Sequence, residues 1–183
     1  MEFMEEHGYQ DVRATAQARV AAESGQEALV AEEFLAAAAH FTEAIESPLA
    51  ATITAELAGA DTQTQDLRQL PTFRLFGAAL EAEEERIMPR RLRWLYDSLV
   101  GRCKAQLALG ADGEAAEAAL ADARAASDLC PLAGGGWYRL RDAARAIGNG
   151  ALTAEVEDEL TRLGYALDLE GPAPTEAERL AMM

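Results

Sequence analysis

The stretch FLAAAAHFTEAIESP, residues 34–48, sets Phe34 and Phe41 seven positions apart with four consecutive alanines between them. Alanine is the best intrinsic helix former, so the stretch predicts a helix. A membrane span would take about 20 predominantly apolar residues. His40, Thr42, Glu43 and Glu46 interrupt the run well before that length. The remaining reason for a helix of small residues, with a bulky one only every second turn, is close approach to another helix. The alanines then leave room for the neighbour, and the phenylalanines fix its register.

The rest of the chain follows the same style. Residues 1–10 are polar and predict a flexible N-terminus. Helical pattern runs from Asp11, which can act as N-cap, to about Ala31, with Gly25 as a point of interruption. The second helix, Phe34 to Glu46, is expected to end at Pro48. Residues 48–72 read as a loop with one short helix near 50–58. Helical period resumes over 73–88, where Pro89 either kinks the helix or opens a new one. Leu92, Leu95, Leu99, Cys103 and Leu107 then form one apolar stripe. GADG (110–113) turns the chain, Ala116, Ala119, Leu120, Ala123 and Ala126 form the next stripe, and Pro131 ends it. AGGG leads into a helix with Trp137, Leu140, Ala144 and Ile147, GNG (148–150) turns again, and Leu152, Val156, Leu160 and Leu163 line the following helix. Thr175 can cap a last short helix, with Glu178 as its capping-box partner. Strand-like alternation is absent. The expected fold is all-α, a single domain over 11–183 built from antiparallel helical hairpins.

Hairpins at a near-fixed period point to stacked repeats. The spacing is tetratricopeptide-like, predicting an α-α superhelix. Phe34, Ala37, Phe41 and Ala44 take the small and aromatic positions of one repeat, with Pro48 one residue early. Ala119, Ala126 and Pro131 repeat the pattern. Trp137, Leu140 and Gly148 supply the aromatic, leucine and turn-glycine positions of the next unit. The first turn carries Glu32 and Glu33 where a glycine is usual. An ordinary alanine-rich bundle is the alternative.

The formal net charge is −16, which disfavours non-specific binding to nucleic acid or anionic membrane. Lys104 is the only lysine among 16 basic residues. Cys103 and Cys130 lie on apolar faces and read as reduced core thiols. No signal-peptide pattern opens the chain, so a cytoplasmic location is expected. His7 and His40 stand in no metal-ligand spacing, and no catalytic constellation is visible. No enzyme activity and no cofactor are expected. AGGGW (133–137) could cradle an anion at a helix start, but it lacks the neighbouring residues of a phosphate loop, and a flexible helix entry is the simpler account. The densest charge feature is EAEEERIMPRRLR, 81–93. Its arginines either solvate a helix through i,i+4 pairs, contact a partner such as DNA phosphate or a polymerase surface, or form an interdomain salt-bridge seam. Arg86, Arg90 and Arg93 would share one face if the helix continues through Pro89. Trp94 could anchor the same contact.

From residue 11 onward the chain resembles the bacterial transcriptional activator domain of the actinobacterial antibiotic regulatory proteins. The residues that carry the resemblance are LEAEEERIMPRRLRWLYDSLVGRCKAQLALG, similar to that family's long Arg/Leu-rich helix, then AEAALADARAASDLCPL and LGYALDLEGPAPTEAERL. AAAAHFTEAIESPLA is similar to the first hairpin of the domain. The resemblance implies a non-catalytic regulatory module beside a winged-helix DNA-binding domain, which these residues do not include. It implies protein partners: that domain in cis, RNA polymerase, another regulator or a second copy of the chain. DNA would be reached only through the additional domain, and no membrane is involved. A stand-alone tetratricopeptide-type adaptor, holding a peptide in its groove, is the alternative reading.

Overall fold

Close helix approach has a visible agent, the ring of Phe41. A computed structural model describes residues 2–59, 87–88, 90–110 and 113–167. In it Phe41 is 1% exposed and lies between two glycines of two other helices. A Cβ added to Gly25 would meet the ring at 2.7 Å, and one added to Gly101 would meet it closer still. Gly25 therefore interrupts nothing. It sits inside α1 (Glu2–Val30), where its missing side chain lets α2 (Phe34–Ile45) approach. Ala37 and Ala44 of α2 are fully buried.

All the described elements are helices. After α2 come α3 (Pro48–Gly59), α4 (Arg90–Leu109), α5 (Gly113–Leu129), α6 (Gly134–Ala146) and α7 (Gly150–Arg162). Helices α1 and α2 pack as a hairpin, as do α4 and α5, and α6 and α7. Each hairpin's second helix packs on the first helix of the next: α2 on α4, α5 on α6. First helices also touch one another, α1 on α4 and α4 on α6, while α3 rests against α1 and α2. The result is a stack of antiparallel helical hairpins. No described helix is long and apolar enough to cross a membrane.

The core runs through the stack as three adjoining clusters. Phe41, Ala37, Ala28 and Ala105 hold the first hairpin to α4. Ala50, Leu92, Leu95, Leu99, Ala126 and Cys130 tie α3, α4 and α5. Cys103, Ala119, Ala123, Leu140, Val156 and Leu160 join α4 through α7. Ala116, Ala119, Ala123 and Ala126 are all fully buried on α5, so its small stripe is an interface on both flanks. Phe34 and Trp137 are half-buried beside these clusters.

Helix ends explain the turns. Gly148 (φ 71°) follows the C-cap of α6. Its N–H bonds Arg145 O at 3.0 Å, and the Asn149 N–H bonds Ala144 O at 2.9 Å, a Schellman closure. The Asn149 side chain then caps α7 by accepting from the Leu152 N–H at 3.1 Å. Glu32 occupies the same left-handed position after α1 (φ 60°), with matching bonds from Glu32 N–H to Leu29 O and Glu33 N–H to Ala28 O.

Several expectations are corrected. Helix α1 starts at Glu2, not Asp11, so residues 2–10 are helical and Asp11 is no N-cap. Pro48 does not close α2, which ends at Ile45. It is the first residue of α3, where its fixed φ suits a helix start and the Ser47 hydroxyl accepts from the Ala50 N–H. That helix is the short one expected near 50–58, and the rest of 48–72 lies outside the described residues. The glycines before Trp137 are helical and packed: a Cβ at Gly134 would strike Tyr165 at 2.5 Å, and one at Gly136 would strike the Ser127 backbone at 2.9 Å. Pro131 is exposed just past α5, as its role as a stop requires. The expected helix over 73–88, Pro89 and the helix near Thr175 lie largely or wholly outside the described residues.

Candidate functional site

The arginine cluster read from sequence is only partly placed. Arg86 lies outside the described residues, and Arg90 is the first residue of α4. Arg93, one turn on, is exposed. Trp94 is half-buried and packs on the cluster of Leu95 and Leu99, with its carbonyl accepting from the Ser98 hydroxyl at 2.7 Å. The residue packs against that cluster and stays partly exposed.

From Arg93 a charged stripe continues along α4. Asp97 stands one turn away and Lys104 two turns beyond it, spacings that keep all three on one face. Arg93 and Lys104 both act to lower the Asp97 pKa, but desolvation outweighs them and holds that carboxyl above its ordinary value. Lys104 is half-buried and makes no hydrogen bond or ion pair among the described residues. Burial lowers its pKa, and Arg139 on α6 lowers it further. The stripe thus crosses from α4 to α6, along the face where first helices of successive hairpins meet. There Arg139 pairs with Asp142 at 3.1 Å. The same carboxylate also takes Arg141, at 3.2 Å.

Arg141 is buried, and its task is structural. It donates to Leu167 O at 2.9 Å and lies 5.2 Å over the Tyr138 ring. The Tyr138 hydroxyl donates to Ala166 O at 2.6 Å, and the Tyr165 hydroxyl donates to Leu132 O at 2.8 Å. Residues 165–167 are thereby strapped back over α6.

Other reactive-looking groups are accounted for in the same way. Arg102 forms a bidentate pair with Asp122, at 2.8 and 2.7 Å, and donates to the Thr42 hydroxyl at 3.1 Å. Burial pushes the Cys103 thiol up to about 12 and the Cys130 thiol to about 11, so neither is a nucleophile at neutral pH. The glycine-rich entry to α6 offers no amide to an anion at Gly136, because the Tyr96 hydroxyl accepts that N–H at 2.6 Å and donates to Ala133 O at 3.3 Å. His40 is half-buried on α2. Among the described residues no three His, Cys, Asp or Glu side chains gather as a metal site.

Sequence reasoning missed Lys104 and Arg139. A signal existed: the chain's one lysine stands directly beside Cys103 on a helix whose other cations are arginines. Arg139 gave none, since its proximity to Lys104 depends on how α6 docks on α4. What this face can do chemically is hold an anion through charge-assisted hydrogen bonds. Comparison of the chain with family models, curated proteins and solved structures gives no match.

Proposed function

We propose that this chain is the non-catalytic, protein-interaction module of a bacterial transcriptional regulator, acting in the cytoplasm beside a winged-helix DNA-binding domain. The observation that carries the interaction reading is the α4–α6 face. It keeps Lys104 half-buried and unpaired among the described residues, an arrangement that costs stability and that a bound partner would offset. The regulator reading rests on the resemblance in order and composition of the helical segments, and the tetratricopeptide-like spacing of Ala37, Phe41 and Ala119 fits it. The partner is the DNA-binding domain in cis, RNA polymerase or another regulator.

Two measurements test it. The isolated chain should not shift duplex DNA at physiological salt, because its net charge of −16 repels phosphate. Sub-micromolar, sequence-specific binding would overturn the assignment of DNA contact to another domain. In the intact regulator gene, charge reversal at Arg90 and Arg93 should abolish activation of a promoter reporter while circular dichroism shows unchanged helicity. Normal activation with normal helicity removes the arginine cluster from the docking surface. A stand-alone adaptor is the second reading, favoured by the same open face. Codons upstream of Met1 separate the two: a winged-helix sequence there supports the regulator, an intergenic region the adaptor.

A further inference from the structure

We propose that Lys104 and Arg139 form the anchor of a binding site for an acidic segment of another protein, whose carboxylates they grip across the α4–α6 seam. The inference deepens the interaction reading above and rests on it for the partner being a protein.

The argument starts from a local imbalance of charge. Along this face stand Arg93, Lys104 and Arg139, three cations against the two carboxylates of Asp97 and Asp142, while Arg141 of α6 is buried. Asp142 is divided between Arg139 and Arg141, at 3.1 and 3.2 Å. Asp97 stands between Arg93 and Lys104 and forms no close pair with Lys104. The face is therefore locally cationic on a chain whose net charge is −16. A surface that is acidic elsewhere and cationic in one place directs an anionic partner to that place.

Placement within the fold adds a second reason. Lys104 sits where α4 meets α6, beside the fully buried Cys103. It is half-buried and makes no hydrogen bond or ion pair among the described residues, and burial is the first cause that depresses its pKa. Arg139 is held by Asp142 on its own helix, with its side chain 23% exposed. The two cations thus come from different helices, each fixed by the core beneath it, and present pre-organised donors. An incoming carboxylate would restore the hydrogen bonds that Lys104 lacks and relieve its repulsion with Arg139.

An extended acidic peptide suits this face better than nucleic acid. The stripe interleaves two carboxylates with its cations, which would meet phosphates unfavourably, whereas a peptide supplies backbone N–H donors for them.

The chain's single lysine makes the test direct. The purified full chain is acylated with an amine-reactive ester, and modification of Lys104 is followed by mass spectrometry, with the N-terminal amine as internal control. Acetyl-capped hexaglutamate should slow acylation of Lys104 at least about threefold and leave the N-terminal amine unchanged, whereas capped hexaglutamine should not, as expected of charge-driven docking. Arg139→Gln should weaken the hexaglutamate effect about tenfold, and raised salt should weaken it too. Arg124→Gln, which removes an exposed cation on α5, should leave it intact. Absence of protection overturns the proposal. Equal loss in Arg124→Gln overturns it as well, because it would show diffuse attraction. Protection by a short oligothymidylate as strong as that by hexaglutamate overturns the choice of a protein segment. Failure of the promoter reporter would leave this readout untouched, so a wrong regulator assignment and a wrong anchor are told apart.

Discussion

Single side chains decide how near these helices come. At Gly101 the usual rule for a helix interior is reversed. In an ordinary helix interior, replacing glycine by alanine stabilises by about 0.5–1 kcal/mol, since alanine restricts the unfolded chain and favours the helix. The Phe41 ring would overlap the new Cβ and leaves no room for it. That ring is 1% exposed and backed on its other side by Gly25. Gly101→Ala should therefore destabilise by about 1–3 kcal/mol through overpacking, read as a lower midpoint in urea. A raised midpoint would show that Phe41 swings aside. Glu32 is the opposite case. It holds a left-handed conformation (φ 60°) at the position where Gly148 and Gly164 serve after later helices. A non-glycine residue there costs roughly 1–2 kcal/mol, part of which glycine returns as unfolded-state entropy. Glu32→Gly should raise stability by about 0.5–1 kcal/mol, measured by the same denaturation, and an unchanged or lower midpoint would show that the Glu32 side chain has a use of its own.

At the level of elements, each helix answers to a local pattern until a neighbour overrides it. The stripes of α4, α5 and α7 were readable because apolar spacing and a glycine or proline stop agreed in each case. Pro48 was misread because a proline reads alike after one helix and at the start of the next, and the Ser47 cap tips it to the latter. AGGG was misread because flexibility and close packing use the same residue, and only the docked positions of Tyr96, Ser127 and Tyr165 distinguish them. Of the candidate site, Arg93 and Trp94 were named from sequence, but the pairing of Lys104 with Arg139 spans two helices and was not legible. Lys104 also sets a prediction for α4. Its folded-state pKa lies below the ordinary 10.5, mainly through burial. Between those two values the unfolded chain binds more protons than the folded one, so this residue makes stability rise with pH there. At neutral pH it is charged in both states and burdens the folded one. Lys104→Met should accordingly raise the melting temperature at neutral pH, and its advantage should shrink as pH approaches 10.5. A lower melting temperature at neutral pH would mean that the ammonium already has a partner in the folded chain.

Among the described residues, the hairpins are joined by apolar seams and by polar contacts, the Tyr96 hydroxyl on α6 and the Arg102 joint on the first hairpin. In a stack where each unit touches only its neighbours, stability is set largely by those seams. Arg102 of α4 reaches Asp122 of its own hairpin through two hydrogen bonds and Thr42 of the preceding hairpin through a third. The Arg102 and Asp122 side chains are only 17% and 7% exposed. Asp122→Ala would leave the guanidinium half-buried without its carboxylate, costing about 2–3 kcal/mol. Removing the exposed Arg145–Glu157 pair, whose arginine is 54% exposed, should cost no more than about 1 kcal/mol. The location of the damage is the sharper test. A freed Arg102 loosens its hold on Thr42, and α1 and α2 form the end unit of the described stack, covered on one flank only by α3 and α4. Hydrogen exchange in Asp122→Ala should therefore accelerate most in α2 and α5 and least in α7, which packs chiefly on α6. Uniform acceleration across the seven described helices would mean that the chain unfolds as one unit and that the joint adds stability without setting which hairpin opens first.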